Sequence, residues 1–160
     1  MKADIKTKWL AALRSGDYKQ GKGMLKYENI AGEMEYCCLG VLCELAIADG
    51  VHIDTREEYI ESDGHDGNFP CFGGAYSDPD KKEADEVLPP EVAEWAGIEK
   101  NIPVYNFRYE GHDVQKDLAT LNDAGWFQTD YDLGTIGGHQ TGRFDFQSIA
   151  NVIEFGEEVK

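Results

Sequence analysis

The chain has 160 residues with 31 Asp+Glu against 15 Lys+Arg, a net charge of −16, and is 41% hydrophobic with three Trp, seven Phe and eight Tyr. That length buries roughly two-thirds of the unfolded surface in one domain, so disorder of the whole chain is excluded. The acidic balance argues against ordinary DNA binding, which needs an extended basic face. The start, M-K-A-D-I-K-T-K-W, has no apolar core of a secretory signal, and no stretch approaches the roughly 20 apolar residues of a membrane span. A cytoplasmic protein is expected, with Cys37, Cys38, Cys43 and Cys71 as thiols.

The first element is a helix. Asp4 is placed to cap it, Ile5, Trp9, Ala12 and Leu13 share a face, and Gly16 closes it in a left-handed conformation. A basic glycine-rich loop follows, R-S-G-D-Y-K-Q-G-K-G-M-L-K, residues 14–26. Met24–Tyr27 and Met34–Tyr36 read as short strands turning at Gly32. From Cys37 to Ala48 only Gly40 and Glu44 interrupt the apolar character, so this helix belongs in the core and stops at Gly50. Gly40 costs about 1 kcal/mol in a helix relative to Ala, which implies the close approach of another backbone there. Residues 51–86 read as irregular β structure, with a hairpin around Gly64–Gly67 and an acidic loop at Asp78–Glu86.

L-P-P-E-V-A-E-W-A-G-I is a short helix with Pro90 in its first turn, Val92, Trp95 and Ala96 inward, and Gly97 at its end. Asp113–Ala124 is read as another helix, with Val114, Leu118 and Leu121 at i, i+4, i+7. Residues 126–143 read as a Gly-rich loop or strand pair. The last helix has Asp145 as cap, Phe146, Ile149, Ala150 and Ile153 as its stripe, and Phe144 as a staple onto Ile149. The expected fold is α+β: one domain, residues 1–160, with four to five helices packed on a small antiparallel sheet.

Charge is unevenly placed. Residues 1–26 carry seven basic groups and two acids, a net of +5, which leaves −21 on the rest. Gly16, Gly21 and Gly23 permit an anion-binding concavity of backbone N–H groups. Around it, Arg14, Lys19 and Lys22 offer charge, Gln20 offers an amide, and Tyr18 offers a stacking surface for a base. The spacing is not a Walker A motif, because the Lys-Ser/Thr ending is missing. A second loop, L-G-T-I-G-G-H-Q-T-G-R, brings His139 and Arg143 to the start of the last helix. Both loops could close over one phosphorylated ligand. The plainer reading is that these lysines face water or pair with the acidic remainder of the chain.

Cys37, Cys38 and Cys43 lack C-x-x-C and zinc-ligand spacing and sit on the apolar helix, so they are read as core. S-D-G-H-D-G-N lacks the spacing and distal Glu of a calcium loop, so no metal is expected. No cofactor and no catalytic signature is found, which favours a binding protein over an enzyme.

Several blocks resemble a family of small tailed-bacteriophage proteins: R-S-G-D-Y-K-Q-G-K-G-M-L, Y-C-C-L-G-V-L-C-E-L-A, L-P-P-E-V-A-E-W-A-G-I, L-A-T-L-N-D-A-G and F-x-x-I-A-N-V-I-E, in that order from about residue 9 to 155. The resemblance implies a phage origin and the host cytoplasm; it brings no activity with it. Accessory proteins with that lifestyle sequester nucleotide signals or imitate DNA. Three functions therefore fit. The first is a non-enzymatic anti-defence protein that captures an anionic small molecule, a nucleotide signal for example. The second is an acidic nucleic-acid mimic that binds a host DNA- or RNA-handling protein. The third is a small enzyme acting on a nucleotide through His139 or a Cys. Homo-oligomerisation and the identity of a host protein partner are left open.

Overall fold

The computed structural model describes residues 1–29, 31–53, 55–60, 67–72, 87–123 and 144–159, with backbone alone for 55–60 and 67–72. It is an α+β fold. Helix α1 (Ala3–Ser15) buries Ile5, Trp9 and Leu13 and ends at Gly16 with φ 81°. Its cap position is Lys2, which makes no side-chain cap; Asp4 lies inside the first turn, where its charge still suits the helix dipole. Strands β1 (Lys19–Gln20), β2 (Lys26–Glu28) and β3 (Met34–Tyr36) follow, then helix α2 (Cys38–Ala48).

The first sheet has order β1-β3-β2, with β2 antiparallel to β3 and β1 parallel to it. The antiparallel sheet expected from sequence is thus mixed here, because the chain after Gly16 comes in alongside β3 in the same direction. Helix α2 is apolar nearly all round and lies in the core, with Cys38, Leu39, Val41, Leu42 and Cys43 fully buried. Strands β4 (Thr55–Ile60) and β5 (Gly67–Phe72) form an antiparallel pair, as the hairpin reading required. The acidic loop at 78–86 and the loop at 126–143 lie outside the described residues.

Helix α3 (Pro90–Ala96) ends at Gly97 with φ 68° and buries Val92 and Ala96. The next segment corrects the sequence reading. Residues 113–117 are not helical: strands β6 (Val104–Tyr109) and β7 (His112–Asp117) pair antiparallel, and only Leu118–Asp123 forms a helix, α4. The turn holds Glu110 at φ 49° and Gly111 at φ 88°, which is the two-residue geometry that suits the strand twist. Val114, Leu118 and Leu121 fit a helical spacing, yet Asp117 ends the strand and accepts from Thr120 N at 2.7 Å, so the helix starts later than the pattern suggests.

Helix α5 (Phe146–Phe155) buries Phe146, Ile149, Ala150 and Ile153, and Asp145 caps it by accepting from Ser148 N at 2.7 Å. Phe144 turns its ring to Phe107 and Tyr109, with centroids 6.2 and 5.1 Å away. Strand β8 (Glu157–Glu158) completes a third sheet of order β7-β6-β8. The buried residues form one hydrophobic cluster centred on α2, flanked by α1, α3, α4 and α5.

Candidate functional site

The glycines of the basic loop serve local packing. Gly21 donates its N–H to Tyr36 O at 2.7 Å and lies against the Tyr27 ring and Glu35. The chain then turns through Gly23, at φ 73°, and buries Leu25. The Leu25 carbonyl accepts from Cys37 N at 3.1 Å and crosses directly over Gly40 of α2. A Cβ on Gly40 would stand 1.6 Å from that oxygen. The close backbone approach expected from the sequence is therefore present, and the loop supplies it.

The loop's cations are mostly engaged with the protein itself. Arg14 pairs with Glu154 at 2.5 Å and donates to Asn151 Oδ1 at 2.9 Å. Lys19 lies 2.6 Å from Glu33 and 3.0 Å from Glu35. Lys26 pairs with Glu44 at 2.7 Å and stands over the Tyr36 ring. Of the other N-terminal lysines, Lys8 pairs with Asp49 at 2.6 Å, while Lys2 and Lys6 donate to the carbonyls of Trp95 and Glu154. Lys22 is exposed, with no ion pair or hydrogen bond among the described residues.

Among the described residues, Arg14 and Gln20 of the expected site address different places. Arg14 addresses Asn151 and Glu154, whereas Gln20 reaches Phe146 at the other end of α5. Those positions lie about 8–12 Å apart along a helix rising 1.5 Å per residue. Tyr18 packs edge-on against Tyr36 at 5.3 Å, and burial raises its pKa. His139 and Arg143 lie outside the described residues.

Gln20 belongs to a buried polar hub that the sequence did not disclose. Its Nε2 donates to Asn122 Oδ1 at 3.0 Å and to Phe144 O at 2.9 Å, and its Oε1 accepts from Phe146 N at 3.1 Å. Asn122 is fully buried. Its Oδ1 also accepts from Cys38 N at 3.2 Å, and its Nδ2 donates to Gly21 O at 2.9 Å and Asp123 Oδ1 at 2.7 Å. Two amide side chains thus satisfy the first N–H of α2 and of α5, groups that a buried helix start must satisfy somewhere. The available signal was Asn122 itself, a polar residue in the inward row of Leu118 and Leu121.

Beside the hub, Glu35 accepts from Tyr27 Oη and from Asn29 Nδ2, the latter at 2.8 Å. Burial alone would push its carboxyl up, but these bonds and Lys19 outweigh that and hold it at about 2, below the ordinary 4.5. A carboxyl depressed in the folded state stabilises the fold above its unfolded pKa and loses that contribution as pH falls. We expect stability to decline as pH drops from about 4.5 towards about 2, and Glu35→Gln to flatten that limb, read by urea unfolding across pH.

Cys37, Cys38 and Cys43 are buried and form no disulfide. Burial pushes the Cys38 and Cys43 thiols well up, which disfavours the thiolate form. Among the described residues no cluster of His, Cys, Asp and Glu could hold a metal, and no helix is long and apolar enough to cross a membrane.

Fold and site together define a small α+β protein in which an N-terminal basic segment is folded onto its own acids. The chain belongs to the DUF8296 family, a domain of unknown function, whose model matches residues 1–157. No curated protein and no solved structure matches it.

Proposed function

We propose that this is a non-catalytic binding protein whose anionic surface takes a basic partner, in the manner of a phage-encoded nucleic-acid mimic acting on a host protein that handles DNA or RNA. One observation supports this reading above the others. Four of the seven cations in residues 1–26, Lys8, Arg14, Lys19 and Lys26, are ion-paired with acids of the protein itself and Lys2 and Lys6 donate to backbone carbonyls, so most of that segment's charge is engaged within a chain of net charge −16. Such a field accelerates encounter with a basic protein and fades with salt. The expected result is displacement of a labelled DNA duplex from a basic architectural DNA-binding protein at about 50 mM salt, lost near 500 mM.

A second reading, capture of a small phosphorylated molecule such as a nucleotide signal, draws on Lys22, which stands exposed beside Gly23 at φ 73°. Ligands that bind only the folded state raise its melting temperature. A nucleotide panel that raises Tm in the wild type but not in Lys19→Ala/Lys22→Ala, with no displacement of the duplex, would favour this reading and overturn the first.

A further inference from the structure

The outer face of the β7-β6-β8 sheet carries a groove of about 390 Å³. It is lined by Phe155, Arg108, Asp113, Asn106, Gln115 and Glu157 among others. Strand register explains the grouping. Asn106 sits opposite Gln115 on one side and Glu157 on the other, and Arg108 sits opposite Asp113. Opposite residues in an antiparallel pair share a face.

Three features set this groove apart. First, Phe155 is 80% exposed, and the only other large exposed hydrophobic among the described residues is Ile47 at 40%. Second, Arg108 turns back to donate to Gly111 O at 3.3 Å. Asp113 and Glu157 then have no side-chain ion pair or hydrogen bond among the described residues. Third, Gln115 Nε2 donates to Asn106 Oδ1 at 2.8 Å, which fixes the amide pair on the groove floor. An aromatic ring, two unpaired carboxylates and a fixed amide pair match one chemistry closely. A guanidinium stacks flat on a ring, bonds bidentately to a carboxylate and donates to an amide oxygen. A phosphate would meet two carboxylates against the one guanidinium of Arg108, the wrong net charge. The volume lies at the low end of the roughly 300–1,000 Å³ of ligand pockets, a size suited to side chains and not to a large cofactor.

We propose that this groove is where the basic partner docks, an arginine of that partner stacking on Phe155 and pairing with Asp113 and Glu157. The proposal rests on the acidic-binder reading and gives it an anchor point, since interface energy concentrates in a few aromatic and arginine contacts. A capped Gly-Arg-Gly-Arg-Gly peptide titrated into the ¹⁵N-labelled protein tests it. The amides of Asn106, Arg108 and Gln115 are expected to shift. Phe155→Ala, and separately Asp113→Asn/Glu157→Gln, should each weaken binding about fivefold, and the lysine counterpart peptide should bind more weakly than the arginine one. Exposure of these positions keeps the variants folded, and unchanged Tm confirms it. If both variants bind the peptide like the wild type, the groove is wrong while the acidic-binder reading stands. If the wild type binds neither the peptide nor the DNA-binding protein, both fall. If Phe155→Ala instead converts a dimer into a monomer in sedimentation, the groove's occupant is a second copy of this chain and the proposal is overturned.

Discussion

Gly40→Ala is expected to destabilise the protein by about 3 kcal/mol or more, a large part of the about 5–15 kcal/mol typical of a folded domain. The added Cβ would stand 1.6 Å from Leu25 O and 2.6 Å from Leu25 C, both backbone atoms. No rotamer change relieves such a clash. Helix α2 cannot retreat either, because Cys38, Leu39, Val41, Leu42 and Cys43 are fully buried around it. The chain at Leu25 would have to move, breaking the 3.1 Å bond from Cys37 N and unseating the Leu25 side chain. Helix propensity returns only about 1 kcal/mol. Gly16→Ala is the control. Nothing lies within 4 Å of a Cβ there, so only the positive φ of 81° is penalised, at about 1–2 kcal/mol. Urea unfolding of both variants decides the matter. A Gly40→Ala variant no less stable than Gly16→Ala would show that the crossing is not tightly packed.

That crossing was legible in the sequence because a glycine inside an apolar helix costs stability unless another backbone needs the room. The same holds for α1, α2, α3 and α5, whose stripes and terminal signals are local. What escaped was set by pairing with other segments, near or far in the chain. The helical spacing of Val114, Leu118 and Leu121 is real, but pairing with β6 outweighs it, and Val114 sits opposite Phe107 across the sheet. The turn at Glu110–Gly111 was the usable clue. The basic loop shows the same limit in a different way. Its composition suggested an anion, whereas Glu33, Glu35, Glu44 and Glu154, which answer its charges, lie 14, 16, 18 and 140 residues away from Lys19, Lys19, Lys26 and Arg14. Composition reports that cations are present; only the fold reports what they face. The acidic loop at 78–86, and the loop with His139 and Arg143, fall outside the described residues.

Asn122→Ala is expected to cost about 3–5 kcal/mol, because it strands the partners that this one side chain satisfies. Without it, Cys38 N–H at the start of α2 and Gly21 O in the loop lose their partners in a region where Asn122 is fully buried. Each unsatisfied buried group costs about 1–3 kcal/mol, and the small void left by the amide adds to it. Gln20→Ala should cost less, since its side chain is only partly buried whereas Asn122 is fully buried. The pair should be strongly non-additive. Once Asn122 is gone, Gln20 Nε2 has already lost its bond to Asn122 Oδ1, so the double variant should lose less than the two single losses together, by about 0.5–3 kcal/mol. Urea unfolding of the two single variants and the double variant reads this coupling, and strict additivity would mean that the two amides act independently. Coupling has a structural consequence as well. Phe144 N donates to Leu121 O at 3.1 Å, and Gln20 ties Asn122 to Phe144 and Phe146, so the end of α4 and the start of α5 meet at the basic loop. Lys19 and Lys26 of that loop pair with acids of the chain itself, and its inconspicuous glutamine ties Asn122 to Phe144 and Phe146, more than a hundred residues away.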